Sequence, residues 1–156
     1  MTSALDMTAV SPTVLAIDVG TSALKAVVYS RAGQVLHVAS RRYGYTMPQP
    51  GWAEADPAAW WAALEATMVD LRQALPALAE VQVLALTGQM HTAVLLDAEG
   101  NVNAPTILWL DRRATAETAE LQTQLGLPPY HLNSTYTLPK LYWLARHQPE
   151  VLRRTA

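Results

Sequence analysis

The chain has 156 residues, enough for one domain with a buried core. Its residues are 51% apolar and 15% charged, as in a folded globular protein, and a net charge of −2 with no basic block disfavours a nucleic-acid role. No cysteine is present, which removes disulfides and thiolate metal sites and is compatible with the cytoplasm, and no apolar run approaches the roughly 20 residues of a membrane helix.

Residues 1–12 lack both a basic start and a long apolar centre, so they read as a flexible tail and not as a signal peptide. The next stretch, TVLAIDVGTSALKAVVY from Thr13 to Tyr29, is the most informative of the chain. Two short apolar runs flank Asp18, Gly20, Thr21 and Ser22, a pattern of two strands joined by a tight turn. One carboxylate beside small residues with backbone N–H groups and hydroxyls suits a phosphate and its metal ion, with the cation held through water. The same pattern also fits an ordinary hairpin with a turn aspartate.

A turn at 31–34 leads to a third expected strand, 35–43, which completes an antiparallel meander. His37 within it reads as a strand residue. The segment YTMPQPGWAEAD from Tyr45 to Asp56 is a loop, because Pro48, Pro50 and Gly51 forbid regular structure. Its Trp52 and Glu54 either pack on a core edge or line a cleft. Asp56-Pro57 opens a helix as N-cap acid and first-turn proline. Trp61, Leu64, Met68, Leu71 and Leu75 then form the expected core stripe, and Pro76 stops it.

Residues 81–86 read as a buried strand, parallel to an earlier one because the helix supplies the crossover. The strand runs into Thr87-Gly88-Gln89-Met90-His91. Ligands of open α/β sheets bind beyond the carboxyl ends of strands, so Gln89 and His91 are expected to face the same cleft as Asp18. Hydroxyl-rich ligands need such donor–acceptor groups. Residues 92–96 read as another strand. Pro105 to Leu110 ends in Asp111, either an N-cap for a helix over 112–125 or a group bordering a ligand. Gly126 stops that helix. A polar loop over 130–137 precedes a short helix over 138–146, in which Lys140 reads as structural.

Five ordered blocks carry a resemblance: IDVGTSALKAVVY, GWAEADPAAWW, LALTGQMHTAVLLD, PTILWLDRR and LPKLYWLARHQPE. Together they resemble the amino-terminal part of the FGGY carbohydrate kinases, with xylulokinases the nearest type, from Thr13 to the end. The resemblance implies an α/β, ribonuclease-H-like fold shared with actin and hexokinase: a partial N-terminal domain, 13–156, with a mixed sheet and flanking helices. It implies that ATP and Mg²⁺ meet a small-molecule sugar in a cleft between two domains. By position, Asp18 resembles the metal-proximal aspartate important for activity. Gly20, Thr21 and Ser22 resemble the first phosphate loop. Met90 and His91 resemble the sugar-contacting pair, with Gln89 beside them, and Asp111 resembles an acid near the substrate. Thr135, Leu110 and Thr92 depart from the common pattern, so D-xylulose, gluconate and other sugars stay open.

Family members are much longer. The resemblance places the general-base aspartate, the second phosphate loop and the adenosine pocket beyond Ala156. The chain is therefore expected to be inactive alone and to self-associate, a homodimer being plausible, through an unpaired sheet edge. A non-catalytic sugar-binding module is the alternative.

Overall fold

In the computed structural model, residues 11–156 are described, and they form two compact units. One holds the chain up to Tyr43 together with Ala62–Gly88; the other holds Gly44–Trp61 and Gln89–Ala156. Residues 1–10 of the expected tail lie outside the described residues.

The first unit is a four-stranded mixed sheet. Strands β1 (Pro12–Val19), β2 (Ala23–Ser30) and β3 (Val35–Arg42) make the expected antiparallel meander. After helix α1 (Pro57–Ala74), strand β5 (Val83–Gly88) pairs parallel with β1, giving the order β3-β2-β1-β5. Strand periodicity sorts the side chains: Leu15 and Ile17 of β1 and Leu24, Ala26 and Val28 of β2 are buried on one face, while Asp18 and Lys25 are exposed on the other. Ala63 and Leu71 of α1 and Leu78 of the following 3₁₀ turn close this core. Each fully buried leucine contributes about 1.5–3 kcal/mol relative to exposure.

Two expectations are corrected in α1 and β5. The buried line of α1 is Ala63, Thr67 and Leu71, with Leu64, Met68 and Leu75 on its flank. Trp61 is not core; it is 64% exposed. It precedes Ala63 by two residues, which turns it about 200° away around a helix of 3.6 residues per turn. The strand expected to be buried is instead exposed at every position of β5. It is an edge strand, and its parallel pairing to β1 satisfies one side only.

The second unit contains a two-stranded sheet, β4 (Glu54–Ala55) with β6 (Thr106–Ile107), and helices α2 (Thr115–Leu125), α3 (Thr137–His147) and α4 (Pro149–Arg153). Its clusters are built on Ile107, Ala114, Trp143, Leu144 and Val151, and on Ala53, Ala55 and Leu108. The expected strand over 92–96 is absent. Only Leu96 bridges, to Val102, across the Asp97–Asn101 turn, and Ala93 and Leu95 instead line a small cavity with α3 residues. Helix α2 starts three residues later than expected, because Asp111 to Ala114 form a turn in which the Arg112 carbonyl accepts the Thr115 N–H. It stops where expected, at Gly126, in the left-handed region at φ 62°.

Candidate active site

Asp18, the last residue but one of β1, lies on the exposed face, opposite Lys25 on β2 and Thr87 on β5. The chain then turns through Gly20, Thr21 and Ser22. The Gly20 N–H donates to the Ala23 carbonyl at 3.1 Å, which makes the turn tight. A Cβ on Gly20 would lie 3.0 Å from that carbonyl oxygen and 3.8 Å from Asp18 Oδ2, so only glycine fits without a backbone shift. The turn therefore brings together Asp18, Gly20, Thr21 and Ser22. Among the described residues no three His, Cys, Asp or Glu side chains cluster as a metal cage. A lone exposed carboxylate beside backbone amides fits a cation that keeps most of its waters and is shared with a phosphate.

Tyr43, which the sequence did not single out, holds this turn. Its phenol donates to the Gly20 carbonyl at 2.6 Å, and its N–H donates to the Ser22 carbonyl at 3.1 Å. Burial of the phenol and then the negative charge of Asp18 push its pKa up to about 12.

Val19 pairs with Gly88, so β1 and β5 finish level with each other at their carboxyl ends, and Gln89 is the next residue of the chain. Gln89, Met90 and His91 belong to the second unit. Met90 is 73% exposed. His91 has a φ of 61°, uncommon for a residue with a Cβ, and its ring packs on Tyr136 at 4.3 Å. Thr92 Oγ1 donates to Gln89 Oε1 at 3.2 Å and accepts the Trp109 N–H at 3.0 Å, which joins this segment to the one before Asp111. His91 also lines the cavity that contains Thr137 and Lys140.

Lys140 is buried, and its ammonium donates to the carbonyls of Thr135 at 2.6 Å and Trp109 at 3.3 Å. Burial pushes its pKa down to about 8 against the pull of Asp111, with Arg112 and Arg113 adding to the depression. This is the structural role read from the sequence. Asp111 is fully buried. Its Oδ2 accepts the Ala53 N–H at 2.5 Å and its Oδ1 accepts the Arg113 N–H at 2.8 Å. The Arg113 guanidinium bridges Asp111 and Glu54 and lies 3.7 Å from the Trp52 ring centre, and that ring meets Trp143 edge-on at 5.3 Å. Trp52 thus packs on the core. Arg113 was missed because its partner Glu54 lies 59 residues away; the only local signal was a second arginine after an acid.

A mixed sheet built from a meander and a helical crossover, with an acid and a Gly-Thr-Ser turn at the end of its first strand, is the ribonuclease-H-like architecture of actin- and hexokinase-type ATPases. The N-terminal domain of the FGGY family of carbohydrate kinases matches residues 13–156, and the chain belongs to that family. It is 35% identical to the xylulose kinase of Escherichia coli (strain K12) and 37% identical to that of Staphylococcus xylosus, in each case over 90% of this chain and 30% of the relative. A crystal structure of a xyloylose kinase from Brucella ovis superposes with a TM-score of 0.84 at 36% identity, over 90% of this chain and 30% of that one. The chain thus spans about a third of the length of the relatives it matches.

Proposed function

We propose that this chain is the amino-terminal piece of an ATP-dependent sugar kinase whose acceptor is a ketopentose such as D-xylulose. The observation that carries the reading is the parallel pairing of β1 with β5, so that the Asp18–Ser22 turn and the Gln89–His91 segment each start from the carboxyl end of one of two paired strands. The xylulose kinases among its relatives support the choice of sugar.

In this reading Asp18 holds Mg²⁺ through water. The backbone of Gly20, Thr21 and Ser22 would approach phosphate oxygens of ATP, with no Cβ in the way at Gly20. Gln89, Met90 and His91 shape the sugar pocket. Asp111 acts through the loop it fixes, setting the Trp109 to Arg112 backbone that borders the sugar. The full reaction is in-line transfer of the γ-phosphoryl group to a sugar hydroxyl, a step that rests on positioning and on neutralising charge. Mg²⁺ supplies that neutralisation when bound. The base that takes the hydroxyl proton must sit within hydrogen-bond reach of it. We assign that base and the adenosine pocket to a part of the protein outside these residues, so the chain alone binds without transferring.

Calorimetry on the chain tests this reading. D-xylulose is expected to bind in the millimolar range of weak single-site ligands, about −4 kcal/mol, with His91→Ala abolishing the heat. Binding of D-gluconate in place of D-xylulose would move the assignment to a gluconokinase. Sugar binding with no response of any kind to Mg²⁺-ATP would make the chain a sugar-binding module.

A further inference from the structure

We propose that Tyr43 is a positioning residue for the phosphate turn: its phenol orients the Gly20 carbonyl so that the Thr21 N–H is aimed toward the phosphate. The proposal rests on the reading of residues 20–22 as a phosphate loop and adds to it a residue outside that loop. In a trans peptide the carbonyl and the N–H of one plane point in opposite directions. The phenol takes the Gly20 carbonyl at 2.6 Å, so the N–H on the other edge of that plane, which belongs to Thr21, is turned away from Tyr43. The Tyr43 N–H takes the Ser22 carbonyl at 3.1 Å. Two of the turn's three carbonyls, those of Gly20 and Ser22, are thereby engaged by one residue. A carbonyl oxygen pointing at phosphate oxygens repels them, and an N–H attracts them.

Tyr43 can hold the turn because it is itself anchored. It comes directly after β3, whose last residues Arg41 and Arg42 pair with Leu24 and Ala23 just beyond the turn, and its ring packs against the core of the first unit. The phenol also senses the Asp18 charge, which places it within electrostatic range of the carboxylate assigned to the cation. Tyr43 is thus held on one side by the sheet and reaches the turn on the other through two hydrogen bonds.

The test uses the whole chain, with inorganic tripolyphosphate plus Mg²⁺ as the probe and amide-resolved NMR as the readout. Tyr43→Phe keeps the packed ring and deletes only the hydroxyl. It is expected to weaken tripolyphosphate binding about tenfold, the net effect of one hydrogen bond. Amide exchange at residues 20–22 should quicken about tenfold, and more than at Leu15 and Val28 in the same sheet. Tyr45→Phe, a substitution at an exposed tyrosine, should change neither. An unchanged affinity in Tyr43→Phe overturns the proposal, whether exchange stays the same everywhere or quickens uniformly across the sheet. Wild-type chain that takes no tripolyphosphate while Tyr43→Phe still loosens the turn would refute the phosphate-loop reading and leave the clamp standing.

Discussion

Arg113 holds a buried positive charge between two acids. Only 2% of its side chain is exposed, yet it pairs with Asp111 and Glu54, of which Asp111 is fully buried. A buried ion pair adds little over a well-packed apolar pair, but removing one partner strands the other charge. Arg113→Ala should therefore cost about 3–5 kcal/mol in a urea melt, comparable with the whole stability of many small domains. Lys140 gives a signature of opposite character. Its pKa is about 8 in the folded chain against an ordinary 10.5. Between those values the unfolded chain binds one more proton than the folded one, so stability must rise with pH there, at up to about 1.4 kcal/mol per pH unit. Below pH 8 the cost of burying the charge is present in full. Tyr43 acts in the next window: its phenol is raised from 10.0 to about 12, so its contribution is lost as pH climbs through that range. Urea melts from pH 7 to 10.5 check the first trend, and Lys140→Met should flatten it.

At the scale of elements, local chemistry read from the chain was dependable where the cause is local. The hairpin around Gly20 and the start of α1 at Asp56-Pro57 were legible, and Asp56 Oδ1 accepts the Ala58 N–H at 2.9 Å as an N-terminal cap requires. So was the stop of α2 at Gly126. A Cβ there would meet nothing within 4 Å, so Gly126→Ala tests the backbone alone. The cost of holding a residue with a Cβ in the left-handed region is about 1–2 kcal/mol, read as a lowered thermal midpoint. Elements failed where the deciding fact is a distant neighbour. The apolar run that became β5 carries the signature of a covered strand, and its sequence holds no record of which face has a neighbour. Residues 92–96 show the same limit: Ala93 and Leu95 are apolar because they line a cavity with α3, not because they pair. Of the candidate site, the acid-and-turn cluster was visible because its members are contiguous. The Tyr43 clamp spans 23 residues and Arg113–Glu54 spans 59, and no local pattern encodes either.

For the molecule as a whole, the two edges of the four-stranded sheet are unequal. β3 carries Arg41 and Arg42 near its end, while β5, with sequence VLALTG, carries no charge and exposes Val83, Leu84 and Leu86, the last at 69%. Charged residues guard an edge against pairing with another chain, and an apolar, flat edge invites it. The chain is expected to self-associate in a concentration-dependent way through β5. Leu86→Lys should restore a single slow-sedimenting species. A wild-type chain that sediments as a monomer at millimolar concentration would exclude this. Among the described residues no helix is long and apolar enough to cross a membrane.

The perpendicular indoles of Trp52 and Trp143, 5.3 Å apart, are near enough to behave as coupled oscillators. Trp52 reaches that position only while the proline-rich loop that bears it lies against the core beneath Arg113. The far-ultraviolet circular dichroism of the chain should accordingly contain an exciton couplet, a label-free optical gauge of whether that loop is seated.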